Sequence, residues 1–282
     1  MDVITTVRAM KEYARGIRRR GETICLVPTM GYLHEGHLAL MRAGKPRADH
    51  LFASIFVNPT QFGPHEDLAR YPRDFDRDRR LCEEVGVECI FHPSAEEMYP
   101  EGYATYIEVE RITDTLCGLS RPGHFRGVAT VVAKLFNTCI PDAAVFGEKD
   151  YQQLVVIRRM VKDLDMDVEI IAHPTVRESD GLAMSSRNKY LSADERNHAT
   201  VLYRSLMKAR EMVACGERDA AKVRQAAIDL IAETPSAALD YVEIVHPETL
   251  RSLDRIEAGS VMAMAVRIGS TRLIDNMELS AV

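Results

Sequence analysis

The stretch ETICLVPTMGYLHEGHLAL, residues 22–40, decides what kind of fold this chain adopts. The apolar run 24–27 reads as a buried parallel strand closed by Pro28. A turn through Gly31 follows, and His34-Glu35-Gly36-His37 opens an apolar-periodic segment, Leu38, Leu40 and Met41, that reads as a helix. Strand, glycine turn and helix start form an anion site in α/β folds. The first helical N–H groups lack partners there, and the positive end of the macrodipole points at the ligand.

Three chemical readings meet this stretch, beside the plain one of two surface histidines at an ordinary helix start. Gly31-x4-Gly36 imitates a phosphate-binding P-loop, but His37-Leu38 stands where Lys-Ser/Thr is required. His34-Glu35-Gly36-His37 imitates a zinc-protease helix, yet its histidines are three apart and not four, with no third ligand nearby in sequence. Both readings fail. The third is the H-x-G-H signature of nucleotide-binding α/β enzymes that split ATP between its α and β phosphates. Histidines three apart lie about 60° from each other around a helix, so both can face one phosphate chain. Gly36 removes a side chain where a nucleotide would lie.

Composition narrows the classes. The 282 residues suffice for two domains or one large one. A net charge of −6 argues against a broad nucleic-acid surface and leaves room for a local basic pocket. Six cysteines show neither C-x-x-C nor zinc spacing, and Cys25 and Cys139 lie in apolar runs as buried thiols. The first 21 residues contain no apolar signal region, and no run approaches a membrane span. A soluble protein of the reducing cytoplasm is expected.

Along the chain, a helix with Val7, Met10, Ala14 and Ile17 on one face ends at Gly21. Further strands are expected at 51–57, 87–91, 105–109, 143–146 and 168–172, and helices after Pro72, over 128–140 and over 152–164. This alternation predicts a doubly wound parallel sheet. In such sheets ligands bind beyond the strand carboxyl ends. Asn58 and Gln61 stand at one such end, as site amides or as plain turn chemistry. Arg121, His124 and Arg126 feed the start of the 128–140 helix, as an anion site or as solvent-facing charges. Lys149 stands at another carboxyl end, where it can supply the charge the failed P-loop lacks. From 176 on the character changes. A polar loop, 181–188, precedes a Ser192/Glu195 capping box and a long helix running toward Gly216. A helix over 219–233 and strands at 239–245 and 261–268 follow, predicting a smaller C-terminal α+β domain. The expected division is 1–175 and 176–282.

Five segments together carry a family resemblance: PTMGYLHEGH (28–37), FVNPTQFGPHEDLARYPR (56–73), SRPGHFRGVAT (120–130), FGEKDYQQL (146–154) and VRESDGLAMSSRN (176–188). RIGSTRLIDN (267–276) extends it into the C-terminal part. The chain resembles the pantothenate synthetase (pantoate–β-alanine ligase) family, of the superfamily of class I aminoacyl-tRNA synthetases and H-x-G-H nucleotidyltransferases. The resemblance implies a Rossmann-like N-terminal domain binding ATP and pantoate, and a C-terminal lid domain carrying the Met184 loop. It implies that pantoate's carboxylate attacks the α-phosphorus of Mg2+-ATP, and that β-alanine then attacks the pantoyl adenylate and releases AMP. It also implies a homodimer.

By matching position, the resemblance gives ATP binding to Met30, Gly31, Tyr32, Leu33, His34, Glu35, Gly36 and His37. It adds Gly147, Glu148, Lys149 and Asp150, then Val176 through its backbone, and Met184, Ser185, Ser186 and Arg187 as a mobile loop. His37, His34, Lys149 and Arg187 carry the catalytic roles, with His37 as proton donor. Gln61 and Gln153 contact pantoate, and Asn58 shares the pocket wall. No residue is assigned as a metal ligand. Tyr32, His65 and Ser270 depart from the family pattern. The alternative within the same fold is a nucleotidyltransferase that leaves the adenylate on another small substrate.

Overall fold

The computed structural model describes residues 1–64 and 66–279, so His65 lies outside the described residues. Two compact units are present: Met1–Val109 with Arg121–Glu148 and Val156–Pro174, and Glu110–Ser120 with Lys149–Val155 and Thr175–Val282. In chain order the strands are β1 (Asp2–Ile4), β2 (Ile24–Thr29), β3 (His50–Ile55), β4 (Cys89–Phe91), β5 (Ala143–Gly147), β6 (Glu169–His173), β7 (Ala237–Val245), β8 (Val261–Ile268) and β9 (Thr271–Glu278). The α-helices are α1 (Val7–Arg19), α2 (Glu35–Gly44), α3 (Phe75–Val85), α4 (Ala95–Met98), α5 (Cys117–Ser120), α6 (His124–Cys139), α7 (Tyr151–Asp163), α8 (Ala193–His198), α9 (Val201–Ala214) and α10 (Ala220–Ala232).

In the first unit six parallel strands run in the order β1-β4-β3-β2-β5-β6. The chain steps from β2 to β3 on one side and reaches β5 on the other, so the topological switch point lies between β2 and β5. In doubly wound sheets the loops leaving the two carboxyl ends at such a point diverge and leave a crevice for ligands. Helices cover both faces because residues of β2 bury alternately on each: Cys25 and Val27 pack in the cluster that holds Leu38, Met41 and Cys82 of α2 and α3. On the other face α1 packs beside α6, burying Met10, Ala14 and Ile17. Gly44 brings α2 close to the sheet: a Cβ there would lie 3.0 Å from Cys25 Sγ.

The second unit is built on the antiparallel sheet β7-β8-β9 covered by α9 and α10, whose core includes Leu202, Leu206, Val223, Met262 and Met264. The Ser192–Glu195 capping box is present, with Glu195 N donating to Ser192 Oγ and Ser192 N to Glu195 Oε2.

Three expectations are corrected. Residues 105–109 form no strand; the Ile107 N–H donates to Thr130 Oγ1 of α6 and not to a strand ladder. The long helix after Ser192 is two, α8 and α9, broken at Ala199–Thr200, where the Thr200 hydroxyl donates to the Asn197 carbonyl. The C-terminal sheet gains a third strand, β9, through the hairpin at Gly269–Ser270, whose left-handed Gly269 (φ +55°) turns the chain. No helix among the described residues is long and apolar enough to cross a membrane.

Candidate active site

The turn after β2 reverses the chain within five residues, and each step has a holder. Gly31 is left-handed (φ +80°), and a Cβ there would lie 3.0 Å from both Asp78 Oδ2 and Ile55 Cγ2. Tyr32 is also left-handed (φ +50°) without glycine's freedom. It is held by Asp78, which accepts the Tyr32 N–H at 2.6 Å and the Leu33 N–H at 2.7 Å. This carboxylate reaches the turn from α3 and is 1% exposed. Burial pushes its titration upward, while the two amide hydrogen bonds and the nearby Arg77 charge pull it back. Arg77 completes the support: its Nη1 donates to the Leu33 carbonyl at 2.8 Å and its guanidinium lies over the Tyr32 ring.

Helix α2 starts with a reciprocal cap made by two imidazoles. Gly36 N donates to His34 Nδ1 at 3.2 Å, and His34 N donates to His37 Nδ1 at 3.3 Å. A main-chain N–H can only donate, so both Nδ1 atoms are acceptors and each neutral ring carries its proton on Nε2. The rings lie 4.1 Å apart between centroids. Two Nε2–H donors therefore come from one helix N-terminus, where the macrodipole adds positive potential. Glu35, in the same first turn, pairs with Arg42 along its own helix. Gly147 ends β5 on the far side of the switch point, opposite His173 in register, with Glu148 next in chain.

The amide loop after β3 is tied at both ends. Asn58 is buried: its Nδ2 donates to Gln61 Oε1 (3.0 Å) and to the Gly127 carbonyl (3.1 Å). Its Oδ1 accepts from the hydroxyls of Tyr99 (2.8 Å) and Thr60 (2.9 Å) and from Thr60 N. With both ends so engaged, Asn58 holds Gln61 in place. The Gln61 carbonyl accepts from Arg121 Nη2 (3.2 Å) and His124 Nδ1 (2.8 Å). Because that carbonyl can only accept, and Arg121 Nη1 (3.0 Å from His124 Nε2) can only donate, neutral His124 carries its proton on Nδ1. Glu66 grips Arg121 through two bonds, at 2.6 and 2.7 Å. Burial raises the Glu66 titration, but the hydrogen bonds and charge of Arg121 outweigh it and leave the carboxyl below its ordinary 4.5. The RPGHFRG segment thus clamps the amide loop.

The second unit contributes its own group of candidates. Lys149 Nζ lies 3.7 Å from Asp150 Oδ1, and the Lys149 carbonyl accepts from Asn276 Nδ2 at 2.9 Å. Neighbouring Asp275, 2% exposed, is gripped by Arg177 through bonds of 2.7 and 2.9 Å. Burial pushes the Asp275 carboxyl upward and the Arg177 bonds counter it. Val176 accepts Met184 N at 3.0 Å, Ser185 Oγ accepts Arg187 N at 3.2 Å, and residues Ser186–Tyr190 wind one 3-10 turn. Asn188 braces this loop by donating to Glu178 and to the Ala183 carbonyl. Adjacent glutamines differ. Gln152 ties Cys117, Ile112 and Thr115, whereas the half-buried Gln153 makes no side-chain hydrogen bond among the described residues.

Sequence reasoning named residues inside the motifs and passed over the side chains that support them. Asp78 and Tyr99 lie outside every quoted segment, and Arg177 and Asp275 lie inside two of them without having been singled out. Asp78 did leave a trace, a carboxylate on the apolar face that Phe75 and Cys82 define. Ser270 occupies an exposed hairpin tip. Among the described residues no three His, Cys, Asp or Glu side chains converge as a metal cage. Chemically, two neutral imidazole donors on a helix N-terminus suit a polyanion, and a Gln amide fixed by its own oxygen suits an oxygen-rich neighbour.

Comparison with known proteins gives the same direction. Residues 2–278 match the family model described as pantoate-beta-alanine ligase. Curated relatives named pantothenate synthetase include that of Pelotomaculum thermopropionicum, 59% identical over 98% of each chain, and that of Syntrophus aciditrophicus, 58% identical over 98% of this chain and 96% of the relative. The solved pantothenate synthetase of Thermus thermophilus is 50% identical with a TM-score of 0.94, covering 99% of both chains. The pantoate-beta-alanine ligase of Francisella tularensis, solved with beta-gamma ATP and beta-alanine, is 32% identical with a TM-score of 0.82, covering 99% of this chain and 98% of that one.

Proposed function

The chain belongs to the pantoate–β-alanine ligase family and is a pantothenate-forming ligase, and from that premise we propose how its residues divide the reaction. ATP lies against 30–37, its phosphates accepting from His34 and His37. The pantoate carboxylate attacks the α-phosphorus, pyrophosphate leaves, and the β-alanine amine then displaces AMP from the pantoyl adenylate. His37 is the donor whose hydrogen bond strengthens as charge grows on the leaving phosphate. Lys149 and Arg187 neutralise phosphate charge; Gly147, Glu148 and Asp150, with the Val176 backbone, receive the nucleoside; Met184, Ser185 and Ser186 belong to a loop that closes on it. Gln61 and Gln153 meet pantoate, with Asn58 holding Gln61.

One observation supports this reading above the others: both H-x-G-H rings spend Nδ1 on main-chain N–H groups, which makes both Nε2 atoms hydrogen-bond donors at one helix start. Magnesium would enter with ATP as part of the substrate and would supply charge neutralisation at the phosphates. We further propose residues 1–175 as the ATP- and pantoate-binding domain and 176–282 as the lid, in a cytoplasmic homodimer; the free state of all six cysteines supports a reducing location. The assignment is tested by product analysis with pantoate, β-alanine and Mg-ATP. Pantothenate and AMP should appear in equal amounts, and product that retains the AMP group would favour the nucleotidyltransferase alternative.

A further inference from the structure

Gln61 can serve a substrate only if its carboxamide keeps one orientation. An amide end has nearly the same shape either way round, so hydrogen bonds alone choose. Asn58 makes the choice by donating Nδ2–H to Gln61 Oε1, which turns the Gln61 amino group outward. Among the described residues the Gln61 amino group has one acceptor, the weak thioether of Met30 at 3.3 Å.

What then fixes Asn58? Two of the three donors to its Oδ1 belong to Thr60, which moves with the same turn. The third comes from a different part of the fold. Tyr99 follows α4 and its hydroxyl donates to Asn58 Oδ1 at 2.8 Å, with its oxygen 3.3 Å from Thr60 Oγ1. On the opposite side Gly127 is pressed against the turn: a Cβ there would lie 2.4 Å from the Thr60 carbonyl oxygen. The turn is thus backed by α6 on its main chain, and the Asn58 side chain is steered from both ends, by the Gly127 carbonyl at Nδ2 and by the Tyr99 hydroxyl at Oδ1.

Tyr99 is itself well placed to stay rigid. The edge of Tyr103 meets it at 5.0 Å between centroids, and Lys134 Nζ lies over both rings, 4.6 Å from that of Tyr103 and 5.6 Å from that of Tyr99. Burial pushes the Tyr99 phenol up to about 12, so it remains a donor at any pH at which the protein works.

We propose that Tyr99 is a positioning residue of the ligase reaction, acting through Asn58 to hold the Gln61 amino group toward pantoate. The inference rests on the reading that Gln61 meets pantoate. Its signature is a split: losing the hydroxyl disturbs pantoate and leaves the nucleotide alone, because among the described residues the relay Tyr99–Asn58–Gln61 hydrogen-bonds to the H-x-G-H turn only through the Met30 thioether.

The experiment measures KM for pantoate and for ATP in the full chain and in Tyr99→Phe, Gln61→Ala, Asn58→Ala and the Tyr99→Phe/Asn58→Ala pair. Tyr99→Phe should raise the pantoate KM about five- to tenfold, the effect of one hydrogen bond, with the ATP KM changed less than about twofold. Its thermal midpoint should stay close to that of the wild type, since the ring is retained. In the pair, Tyr99→Phe should add nothing to Asn58→Ala. An unchanged pantoate KM, an equal rise in both KM values, or multiplying effects in the pair overturns the inference. Where Asn58→Ala does not fold, the KM split of Tyr99→Phe decides. If Gln61→Ala itself leaves the pantoate KM unchanged, the assignment of Gln61 fails and takes the inference with it; if only Tyr99→Phe is silent, the inference fails alone.

Discussion

Asp78 Oδ2 lies 2.6 Å from the main-chain nitrogen of Tyr32, a residue held at φ +50° in the turn that leads to the two histidines of the H-x-G-H segment. A buried acid on one helix therefore sets the start of another. Replacing Asp78 by Asn keeps the shape but sets an NH2 against one of two N–H donors. We expect Asp78→Asn to lose about 1–3 kcal/mol of stability in urea melts and to raise the ATP KM more than the pantoate KM. Equal rises in both constants, or unchanged stability, would place the support of this turn elsewhere.

The two imidazoles give the second prediction. His37→Ala removes the proposed phosphate donor and the Nδ1 that caps α2, so adenylation should fall by about a hundredfold or more. Single-turnover formation of pantoyl adenylate measures this directly. Near-normal adenylation in the variant contradicts the role given to His37.

The third prediction concerns acid. Arg121 holds the folded Glu66 carboxyl below its ordinary 4.5. A group with a depressed folded value contributes stability above its unfolded value and loses it as pH falls through the folded one. The stability gap between wild type and Glu66→Gln should therefore be constant near neutrality and shrink below 4.5. Unfolding midpoints across that range test it, and a gap that does not vary with pH refutes the Glu66–Arg121 clamp.

Much of this architecture was legible in the residues, for physical reasons that also mark where it was not. The strands near 24, 51, 87 and 143 are apolar runs between turn residues, and burial on both faces writes that signal strongly. β1 has three residues and no such run. β9 hides because its buried positions include Asp275 and Asn276, polar residues whose burial is made possible by Arg177 and by their own hydrogen bonds. Residues 105–109 show the reverse: an alternating pattern with no neighbouring strand to pair with. At the site, the residues that present groups stand in short motifs, whereas their supports arrive from far along the chain. Asp78 lies 46 positions from Tyr32, and Tyr99 lies 41 from Asn58. Only the fold brings such pairs together.

Gln61 supplies a fourth prediction. With its oxygen tied to Asn58 and its carbonyl to Arg121 and His124, the side chain offers a preset donor. Gln61→Ala should raise the pantoate KM well above any change in the ATP KM. Steady-state kinetics with each substrate varied in turn check it, and an equal rise in both would place Gln61 outside the pantoate pocket.

The central claim is that one site first joins pantoate to AMP and only then admits the amine as nucleophile. Exchange of labelled pyrophosphate into ATP tests this most directly, because it reads the first step run backwards. With pantoate and Mg-ATP the enzyme should catalyse exchange without β-alanine, and His37→Ala should suppress it. Exchange that proceeds without pantoate, or that appears only when β-alanine is added, would contradict the account.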